Sequence, residues 1–239
     1  MKRFIWITII FVFAAVVCLL VNSSIRQAVQ IGHIHPDEEC MTEYSRSKEL
    51  YIFIDLTERT LYLFKDGKQI RNYSVAIGTK KNPSPIGVFK IVEKGYWGKS
   101  FGGRWMGLNV PWGTYGIHGT TKPDSIGRAA SHGCIRMRNK DAAELYKLVK
   151  KGTVVEIYGG PFGPFGKGFR VLHPGDAGAD VLEVQKRLRI KGYYKGYLSG
   201  FYGIDMEKAL NRFQKAKKLP ISNVIDIKMY KKLGIILEE

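Results

Sequence analysis

The chain has 239 residues, with 38 lysines and arginines against 21 aspartates and glutamates and a net charge of +17, which is long for one small domain and suggests two modules plus a tail. Such a basic balance suits nucleic acid, an anionic membrane surface or anionic wall polymers, and does not choose among them. Three cysteines, Cys18, Cys40 and Cys134, cannot build a disulfide framework, and no CxxC pair or other close metal-ligand spacing occurs, so neither a metal nor a cofactor is expected.

Met1-Lys2-Arg3 precedes an unbroken apolar run from Phe4 to Val21, about the length that crosses a hydrocarbon core of ~30 Å as a helix. Residues 1–22 therefore read as a single-pass transmembrane anchor, with everything after Asn22 outside the cell membrane. A secretory signal is the rival. Its apolar region is usually ~7–15 residues and ends at a small-residue cleavage site that is not evident here; cleavage would make the protein secreted. Cys18 reads as an apolar helix residue. An external location argues against nucleic acid as the partner. Residues 23–48 form a polar stalk, in which His33, His35 and Cys40 read as linker residues rather than metal ligands.

From Glu49 the pattern turns to strands. Leu50–Leu56 is β-branched and aromatic, Leu61–Phe64 and Gln69–Ile77 follow, and Asp66-Gly67 between them tolerates positive φ, so a β-meander is predicted. Further strands are expected at Gly87–Val92, Tyr115–His118 and Thr153–Tyr158. Between the last two runs HGTTKPDSIGRAASHGCIRM, residues 118–137, which gathers one thiol and two imidazoles in a loop-rich stretch. A thiol attacks carbonyl carbon as thiolate and needs an imidazole to take its proton and a third group to fix the imidazole tautomer. Cys134 and His118 suit the first two roles. Gly133 leaves the backbone free to present its own N–H and that of Cys134 to an oxyanion, and Gly119 lets its carbonyl approach the His118 ring. Asn139 reads as the cap of a helix with Ala142, Leu145, Tyr146 and Val149 on one face and Gly152 as its stop.

The segment 159–168, GGPFGPFGKG, reads as a linker without regular structure. Residues 169–239 then give an amphipathic helix around Val181, Val184, Gln185 and Leu188, a second from Glu207 to Ala216 and a third from Asp226 to Leu233, a small bundle.

SHGCIRM downstream of HGT resembles the signature of the L,D-transpeptidase catalytic domain, whose members remodel bacterial peptidoglycan. The resemblance covers residues 49–158 and includes NPSPIGVFKI and RWMGLNVPWGTYGIHGT. It implies Cys134 as nucleophile, His118 as general base, His132 and Gly133 in the oxyanion and support region, Ser131 where it helps orient the catalytic histidine, and Arg136 as a motif arginine for substrate binding. The expected fold is mainly β, a sandwich with one bracing helix, followed by the all-α three-helix domain. The expected reaction joins peptidoglycan stem peptides, donor and acceptor, through a cysteine thioester into 3→3 cross-links outside the membrane, a step of cell wall biogenesis that bears on cell shape. Water as acceptor would make an L,D-carboxypeptidase, and a wall-protein-attaching transpeptidase belongs to the same family. A sortase-like enzyme lacks its TLxTC context here, and a non-catalytic wall-binding protein is opposed by the intact HGT and SHGC segments.

VLEVQKRLRIKGYY, SGFYG and ALNRFQKAKKLP resemble the peptidoglycan-binding domain that accompanies many wall enzymes, with departures at Ile204, Met206 and Ile221-Ser222-Asn223. That resemblance implies a module that raises local concentration on the wall through a flexible tether and leaves the chemistry alone.

Overall fold

The computed structural model describes residues 50–237; the expected anchor, the stalk and Cys18, His33, His35 and Cys40 lie outside them. Among the described residues no helix is long and apolar enough to cross a membrane.

The first strands are built as the alternation predicts. β1 (Tyr51–Asp55), β2 (Thr60–Lys65) and β3 (Lys68–Ser74) pair antiparallel as a meander. Asp66 and Gly67 both take positive φ, 52° and 71°, which gives the β2–β3 hairpin the twist of its flanking strands. β4 (Ile77–Gly78), β5 (Gly87–Gly95), β6 (Trp105–Leu108), β7 (Tyr115–His118), β8 (Ala129–Ser131), β9 (Ile135–Arg136) and β10 (Val154–Tyr158) follow. Eight of them form one sheet in the order β3-β2-β1-β10-β5-β6-β7-β9, and β4 pairs with β8. Ala76, just past β3, exchanges two backbone hydrogen bonds with Arg136 on β9, at 2.8 and 2.9 Å. The outermost strands therefore meet, and the two expected leaves of a sandwich are halves of one sheet folded over.

Between the halves Ile52, Ile54, Leu61, Leu63, Ile91, Met106, Ile117, Ile135, Val155 and Ile157 form the core, all at most 1% exposed. Burial of each such side chain is worth about 1.5–3 kcal/mol. Helix α1 (Asn139–Leu148) braces this core with Ala142 and Leu145. It ends at Leu148, before Gly152, because Val149 turns to extended backbone at ψ 159° and buries its side chain. The strand β6 is not evident in the sequence: all four of its residues are buried, so the alternation that marks a half-exposed strand is missing.

The second module contains α2 (Ala179–Ile190), α3 (Ile204–Ala216) and α4 (Ile227–Leu233) around Val184, Leu188, Tyr202, Leu210, Phe213 and Tyr230. Asp226 caps α4, its carboxylate accepting the Met229 N–H at 2.8 Å. Two fully buried glutamines have their polar atoms satisfied by loops, as burial demands. Gln185 accepts the Gly200 N–H and donates to the Phe201 carbonyl, both at 2.9 Å, and Gln214 bonds both backbone groups of Ser222.

The reading of 159–168 as a segment without regular structure needs correction. Gly163–Phe165 forms a 3-10 turn closed by a hydrogen bond from Phe162 N–H to the Gly166 carbonyl at 3.1 Å. Gly163 and Gly166 supply the left-handed φ of 50° and 60° that the corners require. Phe165 packs edge-on against Tyr230 at 5.7 Å and Phe169 stacks on the same ring at 4.3 Å. On the other side Ile86 fills the space above Gly159 and Gly166. The half-buried Phe165 and Phe169 pack this segment against Tyr230, and its glycines serve close approach rather than looseness.

Candidate active site

β7 and β9 are parallel neighbours, with Ile117 opposite Ile135 and His118 opposite Arg136. The two isoleucines face the core, so the two-residue period of a strand turns His118 and Arg136 to the opposite face. One step back in the same register, Cys134 comes opposite Gly116. His118 and Cys134 are thus placed diagonally on one face by the register.

On the other side of β7, β6 sets Trp105 opposite His118. Phe101 meets the imidazole edge-on at 4.8 Å, Trp105 lies at 5.7 Å, and Trp97 stacks on Trp105 at 4.3 Å. Glu93 holds both indoles, one oxygen accepting the Trp97 N–H at 3.1 Å and the other the Trp105 N–H at 3.2 Å. Inside this box His118 is 5% exposed. Burial pushes its pKa from 6.5 down to about 4; the Gly119 carbonyl opposes the shift and the Arg136 charge adds to it.

The tautomer is fixed. His118 Nδ1 is 2.5 Å from the Gly119 carbonyl oxygen, and a carbonyl only accepts, so Nδ1 carries the proton and Nε2 keeps its lone pair. The loop bearing that carbonyl is itself tied down: Thr120 N–H donates to Asn139 Oδ1 at 2.8 Å. A Cβ on Gly119 would stand 2.5 Å from the same oxygen and 2.9 Å from Gly102 Cα, so only glycine fits. Asn139 was expected to cap α1; instead Arg138 occupies the cap without a side-chain bond, and Asn139 is the first helical residue, turned towards Thr120.

Cys134 is partly buried and unpaired. Burial raises its pKa, while the Gly116 amide and the Arg136 charge pull it down. Both groups of the pair are therefore displaced towards their neutral forms, thiol and imidazole, rather than towards an ion pair.

Ser131 does not take the expected role beside the histidine. Its hydroxyl, 1% exposed with its residue, donates to the Cys134 carbonyl at 2.6 Å and accepts the Gly133 N–H at 3.0 Å. It clamps the turn that carries the thiol, and the Gly119 carbonyl orients the imidazole. The Gly133 N–H, expected to face an oxyanion, is spent on that clamp. Gly133 itself has φ 111° and lies against Tyr115, whose Cε1 a Cβ would approach to 2.6 Å. His132 is exposed on the same turn. Arg136 donates to the Ala130 carbonyl at 3.1 Å and places its charge near both His118 and Cys134.

Four aromatic residues belong to this site that sequence reasoning left aside: Phe101 and Trp105 around the imidazole, Tyr115 over Gly133, and Trp112, close to the Tyr115 hydroxyl. The density of the last three in RWMGLNVPWGTYGIH was a signal, but the pairing of Trp105 with His118 needs a strand that the pattern hides.

Residues 49–157 match the family described as "L,D-transpeptidase catalytic domain", and residues 177–233 match the one described as "Putative peptidoglycan binding domain". The chain is 42% identical over 107 residues to the Bacillus licheniformis protein named "Putative L,D-transpeptidase YkuD", an alignment covering 44% of this chain and 64% of that protein. The Bacillus subtilis protein of the same name is 40% identical over 108 residues, covering 45% and 65%. A second Bacillus subtilis protein, "Putative L,D-transpeptidase YqjB", is 33% identical over 124 residues, covering 45% of this chain and 70% of its own length. The chain thus spans a little under two thirds of the two YkuD relatives.

Proposed function

Since the chain belongs to the L,D-transpeptidase family and carries a peptidoglycan-binding domain, we propose that it transfers acyl groups between peptidoglycan stem peptides through a thioester on Cys134. The observation that carries this reading is the buried His118 ring, its Nδ1 held by the Gly119 carbonyl so that Nε2 is the basic nitrogen, on a strand paired with the one that follows Cys134. His118 Nε2 takes the thiol proton as sulfur attacks the carbonyl carbon of the L,D bond before the terminal D-residue of a tetrapeptide stem. The carbonyl oxygen gains negative charge, for which the Cys134 N–H and the Arg136 charge are at hand once Gly133 is committed to Ser131. The C–N bond breaks, the departing D-amino acid takes the proton from the imidazolium, and the thioester remains. An amine of a neighbouring stem then attacks, gives its surplus proton to His118, and expels the sulfur, which recovers the proton; a 3→3 cross-link results.

The Phe4–Val21 run would hold this chemistry at the outer face of the membrane. Digestion of intact protoplasts with protease tests that, an N-terminus near Ser23 in the medium speaking for cleavage instead.

Mass spectrometry of muropeptides incubated with the protein tests the reaction. Wild type should yield 3→3 dimers and free D-amino acid, and Cys134→Ala neither. Release of the D-residue without dimers would make water the acceptor, and dimers formed by Cys134→Ala would remove the cysteine from the mechanism.

A further inference from the structure

The second module touches the thiol-bearing turn through a chain of contacts. The Trp112 indole lies directly on Gly200, in the SGFYG loop of the helical module, so that a Cβ there would overlap its six-membered ring and approach Cδ2 to 3.2 Å. Gly200 is fixed from its own side: its N–H donates to buried Gln185, its carbonyl accepts the Gly178 N–H at 2.9 Å, and its φ of 65° favours glycine. Trp112 is fixed from the other side by Phe89, edge-on at 5.9 Å. Its indole lies close enough to the Tyr115 hydroxyl to lower the pKa of that group, and the Tyr115 ring lies against Gly133, next to Cys134. The intervening segment 159–168 is packed between Ile86 and Tyr230 rather than free.

We propose that the helical module is a fixed wall of the active site, and that Gly200, acting through Trp112 and Tyr115, sets the position and accessibility of Cys134. Trp112 and Gly200 are then positioning residues, and the module acts on the chemistry of small substrates as well as on docking to the wall. Removing the support lets the Tyr115 ring leave Gly133, which exposes the thiol and relaxes its pKa downwards.

The inference rests on the acyl-transfer reading only where activity is measured, so the deciding measurement does not need activity. Full-length Gly200→Ala and Trp112→Phe are compared with wild type for the rate of Cys134 alkylation by iodoacetamide across pH, and for turnover of a soluble tetrapeptide. Thermal midpoint and binding to sacculi report on folding. Alkylation at neutral pH should rise about threefold in both variants, following the thiolate fraction. Turnover should fall about tenfold from the lost alignment. Should Gly200→Ala fail to fold, Trp112→Phe decides alone. Alkylation of Trp112→Phe at the wild-type rate overturns the proposal, whatever turnover does. Altered alkylation in a protein whose wild type turns over no peptide upholds the coupling and removes the transpeptidase reading.

Discussion

His118, the proposed general base, is buried among aromatic rings, and that environment dictates how it responds to pH. Its folded pKa of about 4 lies below the ordinary 6.5, so between those values the unfolded chain binds a proton that the folded one refuses. Stability is then full above about pH 6.5 and falls as pH drops towards 4, by about 3 kcal/mol for a shift of this size. Denaturant titrations at several pH values should show that slope in wild type and a flatter one in His118→Gln. For the same reason the acid limb of kcat/KM should lie near pH 4, where the buried imidazole titrates, rather than near 6.5. Asn139 acts on this residue at one remove. Asn139→Ala frees the Thr120 N–H and the Gly119 loop, and should cost about 1–3 kcal/mol of stability. It should also lower turnover by about tenfold through a misplaced imidazole. Asn139→Asp keeps the acceptor oxygen and should recover most of both losses, as thermal melts and peptide turnover would show.

At the level of elements, the site depends on the register of β7 against β9. A slip of one residue would carry His118 into the core and Ile117 out of it, which the apolar side chains of Ile117, Ile135 and Met137 resist. Gly116 is the other requirement. A Cβ there would stand 2.6 Å from Trp105 Cη2 and 2.8 Å from the Met106 carbonyl oxygen. Gly116→Ala should therefore cost about 1–3 kcal/mol in a melt and weaken turnover with it. Much of this layout is legible in the chain itself. The meander, β7, β10 and the first-module helix all follow from local patterns of type and spacing. β6, β8 and β9 do not, since they are two to four residues long and mostly buried or bent around glycines. The Ser131 clamp was misassigned for a related reason. A serine three residues before a cysteine can face either the histidine or its own turn, and only the fold of the turn decides.

Across the whole molecule, the two modules and the segment between them were separable by composition, but not the way they are joined. GGPFGPFGKG reads as loose because glycine and proline break helices and strands, yet Phe165 and Phe169 pack against Tyr230. Phe165→Ser should loosen that joint, and limited proteolysis should then cut between residues 159 and 168 where wild type resists. A different property follows from where the chain enters and leaves the sheet. β1 and β10, the first and last strands, are parallel neighbours in register over five pairs, from Tyr51 opposite Val154 to Asp55 opposite Tyr158. Tension drawn from the start of β1 and the end of β10 pulls the two strands in opposite directions along their length. All of the hydrogen bonds between them are then strained in shear together instead of opening one after another. Bonds loaded together share the force, so single-molecule extension through the ends of the first module should meet a high unfolding force at this pair.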